Sequence, residues 1–134
     1  QREMGILQAQ EQEHPLERVK PVATLEEILK IQSAVRKVGV TEQLQEYIVR
    51  LVAATRNRQG VKLAASPRAS LNLLRVAQAM TLFEGRDFLV PETIQDLAPD
   101  VIGHRLIMES DAVYSGRSGE SVVSEIIEET AVPV

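Results

Sequence analysis

The chain has no cysteine, no tryptophan and few aromatic residues, with two Tyr and two Phe among 134 residues. Without cysteine there can be no disulfide, no thiolate zinc site and no cysteine nucleophile. With Tyr47, Phe83, Phe88 and Tyr114 as the whole aromatic complement, the core must be built from Leu, Ile, Val and Ala. That composition favours helices packed on helices over a β-sandwich. No apolar run approaches the ~20 residues of a membrane-spanning helix, and together with the missing cysteines this fits a cytoplasmic location. The opening residues, QREMGILQAQEQEHP, have neither the apolar stretch of a secretory signal nor an initiator Met. The chain is therefore expected to be a piece of something longer.

The common catalytic signatures are missing too. There is no GxxxxGK[ST] phosphate loop, no GxGxxG, no HExxH and no GxSxG elbow. His14 and His104 are far apart and match no metal-ligand spacing. His104, beside an apolar run, is expected to be a hydrogen-bonded structural residue. The carboxylate pairs Glu26–Glu27 and Glu128–Glu129 fall on helical positions where solvation explains them. No active site assembles from these residues, so the chain by itself is expected to be non-catalytic and to hold no metal.

What is present is the length of one domain, enough for a real core, with 44% apolar and 25% charged residues. The net charge of −4 is unevenly spread. Residues 1–49 carry six basic and eight acidic groups, and residues 50–75 carry six basic groups and no acid. Residues 76–108 have two basic against five acidic, and 109–134 one against six. The acid-free window (Arg50, Arg56, Arg58, Lys62, Arg68 and Arg75) is either a solvated face or a local anion site.

The pattern of apolar residues predicts an all-α helical bundle with one very short two-stranded β element. A short helix is expected over residues 2–12, then an extended connection through His14-Pro15 to Ala23. Thr24 with Glu27 forms a capping box opening a helix to Lys37. Thr41 caps a second helix to Arg58, with Leu44, Tyr47, Ile48, Leu51 and Val52 on its apolar face. Residues 57–66 read as a loop. A third helix runs to Glu84, with Gly85 as its C-terminal stop. Pro91 starts a short helix to Leu97, and Pro99 starts another turn. Residues 88–90 and 105–108 are expected to pair as the small β element. Ser118 caps a final helix to Glu129, with Val122, Val123, Ile126 and Ile127 on its apolar side.

The third helix opens oddly. In AASPRASLNLLR (64–75), Ser66 suits the N-cap and Pro67 the first helical position. Arg68 then falls in the first turn, where free N–H groups and the macrodipole favour negative charge. An exposed cation there costs a few tenths to ~1 kcal/mol. Either Arg68 folds back onto a carboxylate or a loop carbonyl, or its partner is an external anion held jointly by the guanidinium and backbone N–H groups.

The order of several motifs resembles the C-terminal lid subdomain of MoxR-type AAA+ ATPases. Ala65, Ser66, Pro67, Arg68 and Ala69 are followed by Gly85, Arg86, Asp87, Val90, Pro91, His104 and Arg105. YIVRLVAATR (47–56) is similar to the family's preceding helix and GRSGESVVSEII (116–127) to its C-terminal helix. The resemblance implies that Arg68 is the sensor 2 residue, contacting the terminal phosphate of ATP, with Ser66 and Pro67 setting the helix start that positions it. Residues 1–23 would follow an ATPase core, and 24–130 would form the lid. It also implies ATP and Mg²⁺ in a longer parent, a core on the same polypeptide, a homo-oligomeric ring (often a hexamer) and von Willebrand factor A domain partners in a chaperone-like machine. The phosphate loop, magnesium-binding acids, sensor 1 and arginine finger of that core are not among these residues, so ATP hydrolysis is expected of the parent and not of this chain. The family's usual Gly before Ala-Ser-Pro-Arg is Ala64 here, and a positive φ at that point would strain the turn. Arg75, Arg86, His104 and Arg105 are left without assigned roles. The competing readings are a free-standing helical module that binds nucleic acid through the basic window, or a protein-interaction domain. The acidic balance, the scarcity of stacking aromatics and the lack of a helix-turn-helix signature argue against nucleic acid.

Overall fold

A computed structural model describes residues 19–133. The helix expected over residues 2–12 lies outside the described residues. The chain divides into two compact units, residues 1–31 and 32–134. In the first, the Thr24 N–H donates to Glu27 Oε2 at 2.7 Å and the Glu27 N–H to Thr24 Oγ1 at 3.2 Å. This is the predicted capping box, and it opens α1 (Leu25–Val35). The hydrogen bonds from Thr24 hold the Glu27 carboxyl below its ordinary pKa.

The second unit holds the core. α2 (Glu42–Ala54) is capped by Thr41 Oγ1, which accepts from the Leu44 N–H, and it tightens into a 3₁₀ turn over Thr55–Asn57. β1 (Val61–Leu63), α3 (Arg68–Phe83), α4 (Pro91–Gly103), β2 (Ile107–Met108), α5 (Ser110–Tyr114) and α6 (Gly119–Glu129) follow. The 3.6-residue spacing of apolar side chains turns one face of each long helix inward. Tyr47, Ile48, Leu51 and Val52 of α2 meet Leu73 of α3, Ile94 and Ile102 of α4, and Val122, Val123 and Ile126 of α6. Each fully buried Leu, Ile or Val contributes about 1.5–3 kcal/mol of transfer free energy. The one aromatic in this core, Tyr47, is fully buried, and its hydroxyl accepts from Gln95 Nε2 at 3.3 Å.

The architecture is the predicted one, helical with one two-stranded sheet, but the strand partners differ. β2 pairs antiparallel with β1, Val61 opposite Met108 and Leu63 opposite Ile107, where a loop was expected. Phe88 instead makes an isolated parallel bridge to Gly39. Leu89 is drawn into the core, and its N–H donates to the Gly39 carbonyl at 3.0 Å, so this segment is committed elsewhere. Pro99 also behaves otherwise than expected. It sits inside one continuous helix, α4, although an interior proline forfeits a hydrogen bond at a cost of roughly 3 kcal/mol. Ala98 and Ile102, both fully buried, hold the helix to the core on either side of it. A further short helix, α5, occupies the polar stretch before Ser118.

Glycine is required at two helix ends. Gly85 has φ +73°, its N–H donates to Leu82 O, and the Arg86 N–H donates to Thr81 O. This is the Schellman closure predicted for the end of α3. Gly116 closes α5 in the same way, with φ +82° and an Arg117 N–H to Ala112 O bond of 2.9 Å.

Candidate functional site

The site is the entry into α3. Thr55 is fully buried; its hydroxyl donates to Val52 O at 2.7 Å and accepts from the Ala65 N–H at 3.3 Å. This side chain pins the approach to α3 against the end of α2, a role that sequence reasoning missed. Ala65 and Ala69 are buried, while Ser66, Pro67 and Arg68 between and beside them are exposed. Small residues inward and a guanidinium outward therefore fix where Arg68 is presented.

The cap differs from the prediction. Pro67, with φ −55° and ψ −23°, takes the N-cap place, Arg68 is the first helical residue, and no side chain caps the helix. Ser66 contributes through its backbone: its carbonyl accepts from the Ala69 N–H at 2.8 Å, and the Pro67 carbonyl accepts from Ser70 at 3.1 Å. Two first-turn N–H groups are thus already satisfied internally, so Arg68 offers an anion its side chain rather than a backbone cradle. Ala64 brings no strain, because no non-glycine among the described residues has positive φ.

Arg68 forms no hydrogen bond or ion pair with any described residue. The rest of the chain respects the helix dipole. α1 begins with Glu26 and Glu27, α2 with Glu42, α4 with Glu92, α5 with Asp111 and α6 with Glu120. α3 alone among the described helices has no acid in its first turn.

Of the other five cations of the basic window, Arg56 and Lys62, like Arg68, have no hydrogen-bond or ion-pair partner for their side chains among the described residues, and the remaining three make contacts. Arg58 reaches Glu129 with two hydrogen bonds of 3.0 and 2.6 Å. That pairing lowers the Glu129 carboxyl below its ordinary pKa and raises Arg58 above its own. Arg50 donates to Ala131 O at 3.4 Å. Arg75 donates to the Oε1 of buried Gln78 at 2.9 Å. Outside the window, Arg86 contacts Glu84 and donates to Thr93 Oγ1 at 2.9 Å, and Arg117 pairs with Glu125. Arg105 Nε donates to Val101 O at 3.2 Å, and His104 Nδ1 lies 2.7 Å from Asp100 O. The last of these is the structural hydrogen bonding expected of His104.

Residues 53–132 match the AAA lid domain family. The chain belongs to the AAA lid domains, of the MoxR type. The chain is 38% identical over 132 residues to the uncharacterized protein YeaC of Bacillus subtilis, covering 98% of this chain and 41% of that protein. It is 32% identical over 123 residues to chaperone MoxR1 of Mycobacterium tuberculosis, covering 85% of this chain and 33% of MoxR1. A crystal structure of a protein of Cytophaga hutchinsonii described as an ATPase superposes with a TM-score of 0.83 at 28% identity, over 98% of this chain and 43% of that one. The chain thus spans less than half of each of these proteins. No helix among the described residues is long and apolar enough to cross a membrane.

Proposed function

We propose that this lid works as the nucleotide-responsive part of a longer MoxR-type ATPase, with Arg68 as its sensor 2 residue. The observation that carries the reading is the inverted start of α3: among the described residues five helices obey the dipole rule, and the sixth presents a guanidinium with no partner among them where an anion belongs. A cation without a counter-charge among the described residues is suited to one supplied by another domain. ATP with Mg²⁺, bound on the core of the parent, would supply a terminal phosphate of high charge density. Arg68 would neutralise part of that charge and tie the orientation of α3 to the presence of the phosphate. When the contact is lost after hydrolysis, α3 is released and the lid is free to reorient. Likeness to chaperone MoxR1 supports a chaperone-like machine; assembly as a ring in the cytoplasm and action with von Willebrand factor A domain proteins belong to the same proposal and rest on the family resemblance.

Arg68→Ala in the full-length ATPase tests this. ATP turnover should fall by about tenfold or more, in line with the loss of a group that stabilises phosphoryl transfer. The melting temperature of the lid should scarcely move, because Arg68 is exposed and its side chain makes no hydrogen bond or ion pair with any described residue. Unchanged turnover would refute the assignment.

A further inference from the structure

The second half of α3 carries a surface that the sensor reading does not use. Within the second unit, which takes in the last turn of α1 from Gln32 onward, an open groove of about 440 Å³ is lined by Gln32, Val35, Arg36, Arg75 and Ala79. The lining thus combines two guanidinium groups with the apolar side chains of Val35 and Ala79. Beyond them along α3, Val76, Met80 and Phe83 are 40%, 43% and 77% exposed. They stand at i, i+4 and i+7, so they form one apolar stripe leading from the groove.

Arg75 is held in position. Its Nη1 donates to Gln78 Oε1, while Gln78 Nε2 donates to the Val38 carbonyl at 3.0 Å. Gln78 is 5% exposed, so a buried amide, satisfied at both ends, orients an exposed guanidinium. A pre-oriented cation loses less conformational entropy on meeting a partner than a free one. Arg36, Lys37 and Arg75 have no carboxylate within ion-pair distance among the described residues. This basic surface stands out on a chain whose net charge is −4.

We propose that this face docks an acidic amphipathic helix from another protein, its apolar stripe on Val76, Met80 and Phe83 and its carboxylates at Arg36 and Arg75. The charge decides the occupant: a basic or neutral helix would leave the pre-oriented guanidinium uncompensated as its water is displaced. An open trough beside an exposed apolar stripe suits a helix laid along it, in the manner of other helix-in-groove contacts, rather than an enclosed small molecule.

The test uses the full 134-residue chain and a pair of fluorescent synthetic helices with the same leucine stripe, one flanked by Glu and one by Lys, followed by anisotropy. The Glu helix should bind even though the chain is itself acidic. Arg36→Glu with Arg75→Glu should weaken it by about tenfold or more and make the Lys helix the better ligand. Phe83→Ser should weaken both. All three changes are on exposed side chains, and circular dichroism confirms folding. No binding of the Glu helix, equal binding of both helices, or binding indifferent to the double charge reversal overturns the proposal. Displacement of the Glu helix by inorganic phosphate at constant ionic strength would make the groove a small-anion site and also overturns it. So would a chain that sediments as a dimer until the arginines are reversed, because the occupant would then be a second copy. None of these measurements involves ATP, so they stand or fall apart from the sensor assignment.

Discussion

Gly119→Ala sets two physical effects against each other, and the structure says which wins. Gly119 is the first residue of α6, and alanine is normally the better helix former by up to ~1 kcal/mol. Propensity alone therefore predicts a neutral or stabilised protein. A Cβ built on Gly119 would, however, lie 3.0 Å from the Gly103 carbonyl carbon and closer still to its oxygen. On the other side, a Cβ on Gly103 would lie 2.9 Å from the Glu120 backbone nitrogen. The end of α4 and the start of α6 thus touch backbone to backbone. Neither can give way without moving a helix whose far side is packed through Ile102, Val122 or Ile126, all fully buried.

Overpacking of this kind costs typically 1–3 kcal/mol, and backbone obstruction puts Gly119→Ala toward the top of that range. After subtracting the propensity gain, a net loss of about 2 kcal/mol remains. With an unfolding entropy of ~2.1 cal/mol/K per residue, that lowers the melting temperature by roughly 7 °C. Urea denaturation and thermal melts followed by circular dichroism would measure both. Gly116→Ala is the control, since Gly116 has open space around its Cβ but a φ of +82°. There only the left-handed conformation is penalised, by roughly 1–2 kcal/mol. Gly119→Ala at or above wild-type stability would refute the close-approach argument.

Other substitutions test single contacts. Gly39→Ala should cost less than ~1 kcal/mol despite a projected 2.5 Å approach to the Phe88 ring, because Phe88 is 71% exposed and can swing aside; chemical denaturation measures it. Gln78→Leu removes the amide under Arg75 and leaves the Val38 carbonyl unpaired, which should lower stability by about 1–3 kcal/mol in the same assay. Glu129 titrates below its ordinary pKa when folded because Arg58 donates to it. Its contribution to stability should be complete above the unfolded carboxylate value and disappear as pH falls through the lower folded value. Glu129→Gln should therefore remove part of the acid-side pH dependence of the melting temperature and leave the alkaline side unchanged.

The helices were legible because each carries its own local signals. Thr24, Thr41 and Ser118 all accept hydrogen bonds at the starts of α1, α2 and α6, and Gly85 closes α3. These interactions span three to five residues, so sequence spacing encodes them. The strand partner of Ile107 was not legible, because β1 and β2 meet only after α3 and α4 have been placed between them in the chain. Two short strands offer no periodicity of their own. Pro99 misled for a related reason. Its local cost was real, but burial of Ala98 and Ile102 on both sides outweighed it. At the site, Arg68 stood out because a misplaced charge is a local feature. Thr55 did not, because a threonine beside a helix end is ordinary until Ala65 is seen to return to it.

The six cations of residues 50–75 looked in sequence like one basic patch, and the contacts divide them. Arg58 and Arg50 are spent on the end of α6, at Glu129 and Ala131. Arg75 is turned along α3 toward Gln78 and the groove beside α1. Arg56, Lys62 and Arg68 have no hydrogen-bond or ion-pair partner for their side chains among the described residues, and of the three Arg68 stands at the start of the same helix. One helix of 16 residues, about 24 Å long, thus carries at its start a guanidinium with no partner among the described residues and a pre-oriented one near its middle. An anion that engaged Arg68 would act on the same helix that lines the groove at Arg75. A reorientation of α3 would therefore change how its outer face is offered to a partner helix. If both assignments hold, Gln78→Leu should weaken the Glu-flanked helix through loss of Arg75 preorganisation without altering the environment of Arg68. Equal loss at Arg68, read as a fall in ATP turnover of the full-length protein comparable to that of Arg68→Ala, would show that the two ends of α3 cannot be separated.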